Sequence, residues 1–211
     1  MLDTLEKIFG SGAKVKIMRL FLFNPTEGFD IDQICERAKV PGAVARHEIY
    51  LLQKAGVVKK KSFFKDFIVG RKREVERRRV SGWIADEEFE YLGPLRMLLE
   101  HVSEKRNQQI VKKIAATGKI KLIIISGFFI HNWDSRVDLL VVGDDIKKGK
   151  LEQVLKTIEA ELGREISFAS FETADFRYRL GVYDKLIRDI LDFPHEVILD
   201  KINVEPPKIR S

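Results

Sequence analysis

The chain has 211 residues, of which 45% are hydrophobic and 33% charged. That balance excludes an intrinsically disordered chain and a collagen-like repeat, and the length accommodates one large domain or two small ones. The net charge is +6, but residues 1–85 hold 18 Lys/Arg against 10 Asp/Glu, while the remainder holds 20 against 22. The basic surplus therefore belongs to the N-terminal part. A single cysteine, Cys35, excludes an intrachain disulfide and a cysteine-rich zinc site. Its place on an apolar helix face reads as core rather than as a redox sensor. The first residues lack the basic and apolar regions of a signal peptide. The most apolar run, Leu122–Ile130, is far short of the roughly 20 residues that span a bilayer. The sequence thus predicts a cytoplasmic protein with no membrane partner.

A first helix is predicted over Lys14–Phe23, where Val15, Ile17, Met18, Phe21 and Leu22 form an apolar stripe. Asn24-Pro25 ends it, because proline disfavours helix in the residue before it. Asp30 with Gln33 reads as a capping box opening a second helix with Ile31, Ile34, Cys35 and Ala38 inward. After the turn Lys39-Val40-Pro41-Gly42, a third helix runs to Lys54 and buries Ala45, Ile49 and Leu52, with Gly56 placed to cap it. Its opposite face carries Ala43, Arg46, His47, Tyr50 and Lys54.

A basic hairpin is predicted next, with strands over Val57–Phe64 and Val75–Trp83 and a turn at Gly70-Arg71-Lys72-Arg73. Residues 59–79 hold ten basic side chains against three acidic ones. Such concentration points to a polyanionic partner. A merely solvated, charged hairpin is the alternative.

Three helices followed by a hairpin is the winged helix-turn-helix order. Val40–Val58 resembles the helix-turn-helix of ArsR-like and MarR-like transcriptional regulators, and Leu51-Leu52-Gln53-Lys54-Ala55-Gly56-Val57-Val58 is similar to that family's junction into the wing. The resemblance covers about 80 residues. It implies double-stranded DNA as partner, with the third helix in the major groove and the wing along the phosphates. The implied contacts are Arg46, His47, Tyr50 and Lys54 from the helix. Lys59, Lys60, Lys61, Arg71, Lys72, Arg73, Arg77, Arg78 and Arg79 would serve from the wing. Arg46 is the candidate for a bidentate contact to guanine. The helix begins Pro41-Gly42-Ala43, where family members often carry Ser, Thr or Arg, so direct readout is expected to be sparse. A winged helix that binds protein instead of DNA stays open.

Gly93-Pro94 starts a connecting helix to about Ala116, with Leu95, Leu98, Leu99, Val102, Ile110, Val111 and Ile114 at helical spacing. It reads as linker, as packing element, or as the seam of a homodimer. The C-terminal part is predicted as an α/β unit with a mixed sheet. Its elements are strands at Ile120–Ser126, Val137–Val142 and Ile166–Phe171, a helix over Lys150–Leu162, helices from Thr173 and Lys185, and an edge strand at Glu196–Leu199. The whole is an α+β chain. Its predicted parts are a DNA-binding domain at 1–85, a connecting helix at 86–117, a second domain at 118–200 and a tail at 201–211.

Ser126-Gly127, followed by Asp134-Ser135-Arg136-Val137-Asp138-Leu139-Leu140-Val141, resembles the core of the minimal nucleotidyltransferase family, over roughly residues 118–195. Active members hold a triphosphate at a Gly-Ser turn and two Mg²⁺ ions on alternating carboxylates. Here the turn is inverted to Ser126-Gly127, Arg136 stands where the first metal aspartate belongs, and only Asp138 keeps a carboxylate. The third predicted strand, Ile166–Phe171, has no carboxylate within it. The resemblance implies an inactive domain with no metal or cofactor; Arg136 is expected to pair with Asp138 instead, since residues i and i+2 share a strand face. Its vestigial site, Ser126, Gly127, Asp134, Arg136 and Asp138, is left for a nucleotide or another anion. A shifted register using Asp134 with Asp138 is the rival. His101, His131 and His195 show no metal-ligand spacing.

The favoured reading is a DNA-binding transcriptional regulator that is not an enzyme, its second domain serving dimerisation or ligand sensing. The alternatives are an active nucleotidyltransferase targeted by its winged helix, or an antitoxin-like scaffold.

Overall fold

Ser11 caps the first long helix by accepting the N–H of Lys14 at 3.2 Å, so that α2 begins at Gly12, two residues before the predicted start, and ends at Phe23. A short α1, Thr4–Phe9, precedes it and was not predicted; Leu5 and Phe9 pack against the same core. Asp30 and Gln33 form the reciprocal capping box, and α3 runs Ile31–Ala38. Lys39 takes a left-handed conformation and Pro41 opens α4, Gly42–Lys54. The end of α4 is a Schellman turn. Gly56, at φ +82°, donates to Gln53 O while Val57 donates to Leu52 O.

In this computed structural model the described residues are 4–69, 74–100, 104–130, 132 and 135–204. The chain is α+β and divides into two compact units, Met1–His101 with Thr157–Arg164, and Val102–Lys156 with Glu165–Ser211.

In the first unit, α2, α3 and α4 surround a core of Ile17, Leu20, Phe21, Ile34, Ala45, Ile49 and Leu52, among others. Phe21 and Phe29 meet edge to face, with ring centroids 5.5 Å apart. Strands β1, Val58–Val69, and β2, Glu74–Ala85, form an antiparallel hairpin of twelve residue pairs, longer than predicted. Its root is sealed by Val58 and Ala85 and by a backbone bridge between Phe29 and Trp83. The predicted connecting helix is described over Leu92–Glu100 (α5) and Glu104–Ala115 (α6), and residues 101–103 between them lie outside the described residues. Leu99 of α5 is buried in the first core, and α6 is counted with the second unit.

The second unit is built on a four-stranded mixed sheet in the order β5-β4-β3-β6. Its strands are β3 (Lys119–Ile125), β4 (Leu139–Asp144), β5 (Phe168–Glu172) and β6 (Glu196–Asp200). Only the β4–β5 pair is parallel. The continuous apolar run of β3 reflects burial on both faces. Leu122 and Ile124, with Leu140 and Val142 of β4, pack under α8 (Thr173–Gly181) and α9 (Lys185–Leu191) through Phe176, Ile187 and Ile190. Ile123 and Ile125 point to the other side and are buried as well. A 3₁₀ turn, Gly127–Ile130, leaves β3. Helix α7 spans Lys148–Leu162. No helix among the described residues is long and apolar enough to cross a membrane.

Candidate nucleic-acid interface

The apolar stripe of α4 fixes which side chains face outward. Ala45, Ile49 and Leu52 are buried as their spacing requires, and Arg46, His47, Tyr50 and Lys54 are exposed on the opposite face. The Lys54 ammonium lies 4.8 Å from the centre of the Tyr50 ring. Glu48 is also buried, although it stands outside the predicted stripe of Ala45, Ile49 and Leu52. Position 48 falls beside Ile49 on the inward stripe, and the Glu48 carboxylate meets the Lys14 ammonium at 3.6 Å.

The hairpin cations divide into two groups. Lys59 is bound to Asp86 at 2.9 Å, and that hydrogen bond raises the lysine pKa and lowers the aspartate's. Arg78 is bound to Glu76 at 2.6 Å, with a raised arginine and a lowered glutamate pKa from the same bond. Lys65, absent from the predicted contacts, holds the cap residue Asp30 at 2.6 Å and so ties β1 to the start of α3. Lys60, Lys61 and Arg79 are exposed with no ion pair among the described residues. Arg77 lies 5.3 Å from the Phe64 ring centre. Arg71, Lys72 and Arg73 lie outside the described residues. A hollow of about 370 Å³ at the root is lined by Lys59, Lys60, Lys61 and Glu87, among others.

Strand parity relates the hairpin to α4. Lys60, Trp83, Phe64, Arg79 and Arg77 share one face of the ribbon, because paired residues lie on the same side and the period is two. Trp83 on that face donates its indole N–H to Gln53 of α4 at 2.9 Å. The face with Arg77 and Arg79 is therefore the one joined to α4.

The second predicted site is arranged differently from expectation. Strand β4 starts at Leu139, so Arg136 and Asp138 precede it and the strand-face argument for pairing them lapses. Arg136 is bound to Asp189 of α9 at 3.0 Å. The Asp138 carboxylate accepts backbone N–H groups on both oxygens, from Phe128 and from Ser167, each at 2.9 Å. Ser126 donates its hydroxyl to Val137 O, and its backbone N–H bonds Asp138 O at 2.9 Å. Gly127 has φ +56°, and a Cβ there would collide with the Asp138 carboxylate. Asp134, His101 and His131 lie outside the described residues. Among the described residues no three His, Cys, Asp or Glu side chains are grouped to hold a metal ion.

Compared with protein-family models, with curated proteins and with solved structures, the chain matches none of them.

Proposed function

We propose that the protein is a transcriptional regulator that binds double-stranded DNA through a winged helix-turn-helix. In this reading α2, α3 and α4 are the helices and β1–β2 is the wing. Helix α4 enters the major groove with Arg46, His47 and Tyr50 toward base edges, and the hairpin cations neutralise phosphates. One observation carries the reading. The exposed cationic face of α4 and the cationic face of the hairpin are joined through Trp83 and Gln53, so one duplex can meet both.

The second unit is proposed as a nucleotidyltransferase-like domain without catalysis. It would serve a homodimer or sense a nucleotide or other anion. Support for inactivity comes from Asp138, whose two oxygens are occupied by backbone N–H groups, and from the guanidinium two residues before it. A metal ion would have to displace the N–H groups that hold the loop.

The test is fluorescence anisotropy on random-sequence duplexes across salt concentrations, with the full chain. Affinity is expected to fall steeply with salt, because each neutralised phosphate releases counterions. Salt-independent affinity, or affinity unchanged by neutralising Arg71, Lys72 and Arg73 together, would overturn the role given to the wing.

A further inference from the structure

Phosphate binding leaves one feature of the hairpin unused. Beyond its root, the ribbon face shared with Trp83 presents Phe64, Ile68 and Val75, which are 62%, 73% and 67% exposed. Ile68 and Val75 are direct cross-strand partners, so they make one apolar knuckle across both strands. Phe64 lies four residues back along β1, about 13 Å by the strand rise. Contact between Ile68 and Val75 stabilises the ribbon modestly but leaves most of both side chains in water. Cations flank this stripe on the same face. Arg79 is the cross-strand partner of Phe64, and the Arg77 guanidinium lies against its ring.

The surrounding charge selects the partner. A second copy seated on this face would set Lys60, Arg77 and Arg79 against the same three cations, with only Asp66 on each side to offset them. Asp66, directly opposite Arg77, offsets one cation on this face, but an apolar protein groove would still strip water from Arg79 without a counter-ion. Duplex DNA satisfies both requirements, since phosphates line the groove walls and stacked base pairs lie between them.

Building on the duplex-binding reading, we propose that the hairpin is a minor-groove wedge. The Ile68–Val75 knuckle enters a base-pair step and bends the duplex, Phe64 packs against the sugar wall, and Arg77 and Arg79 hold the adjacent phosphates. Apolar side chains inserted this way unstack the step and kink DNA by roughly 20–90°. Pyrimidine–purine steps open most easily, so the wedge would select such steps by deformability where α4 reads few bases.

The experiment uses energy transfer between dyes at the two ends of a duplex of about 30 base pairs, titrated with the full chain. Anisotropy on the same duplex measures binding separately. Binding of the unsubstituted protein is expected to raise transfer. The double variant Ile68→Ser/Val75→Ser, altered only at exposed positions, is expected to lose that rise while affinity falls less than about tenfold. Binding without a rise, or an equal rise in the variant, would overturn the wedge and leave duplex binding intact. Absence of any binding would overturn the duplex-binding reading and the wedge with it. Self-association in sedimentation velocity that is lost in the double variant would assign the stripe to a second copy and overturn the wedge.

Discussion

The indole N–H of Trp83 donates to the side-chain oxygen of Gln53 at 2.9 Å and so fastens β2 to the last turn of α4. Trp83→Phe keeps an aromatic ring, smaller than the indole, and removes the donor. The expected cost is about 1 kcal/mol or less in urea denaturation. Duplex affinity is expected to fall by no more than about tenfold, through loosened alignment of hairpin and helix. An unchanged affinity would mean that the two elements bind independently.

Glu48 is buried beneath α4 and faces Lys14 across 3.6 Å. Lys14→Ala is expected to cost about 1–2 kcal/mol, because it leaves a buried carboxylate without its cation. The value is set below that of a fully buried pair because Lys14 keeps some contact with water. Adding Glu48→Gln to Lys14→Ala is expected to recover most of the loss in chemical denaturation.

Arg46 stands exposed on α4 and Arg79 exposed on β2, and substitutions at the two are expected to differ in kind. Arg46→Ala is expected to reduce discrimination between duplex sequences by about 1–3 kcal/mol with no loss of stability. Arg79→Ala, or Lys60→Ala, is expected to weaken binding to all sequences alike and to lower the salt slope by about one unit. Competition between sequence pools at several salt concentrations separates these outcomes.

Asp138 holds its loop through two backbone N–H groups. Asp138→Asn turns one acceptor into a donor facing an N–H, and is expected to cost about 1–3 kcal/mol. The unsubstituted protein is expected to show no transfer from labelled nucleoside triphosphates with Mg²⁺ or Mn²⁺. Turnover that Asp138→Ala abolished would contradict the inactive reading.

Asp144, at the end of β4, is held down from 3.8 to about 2 by the Lys121 ammonium at 2.6 Å, with Thr173 adding to it. The folded pKa lies below the unfolded one, so this contribution is present above about pH 4. It is lost as pH falls through the folded value. Urea midpoints are expected to decline over that window, and Asp144→Asn is expected to flatten that part of the decline.

Local chemistry made much of the first unit legible. The capping box at Asp30 and Gln33, the 45–49–52 stripe and Gly56 after α4 depend on near neighbours, and each lies where the sequence reading placed it. Helix α1 was missed because its six residues carry no long apolar stripe. The partners of charged residues were the least legible. Arg136 was paired with Asp138 by strand parity, but parity holds only inside a strand, and β4 begins one residue after Asp138. Asp189, its actual partner, is distant in sequence, and no spacing rule connects the two. The division of hairpin cations into bound and unbound was equally hidden. It depends on where Asp30 and Asp86 fall once the chain is folded.

The twelve-pair register of the hairpin runs without a bulge from Val58–Ala85 to Val69–Glu74. Alternation by two means that one inserted or deleted residue within either strand would turn every side chain beyond it to the opposite surface. Phe64 and Ile68 would then leave the face of Arg77 and Arg79. Relatives of this chain should therefore vary the hairpin's reach only by adding cross-strand pairs two at a time, or at the turn. A single-residue gap inside either strand would mark a protein that has changed the use of this ribbon.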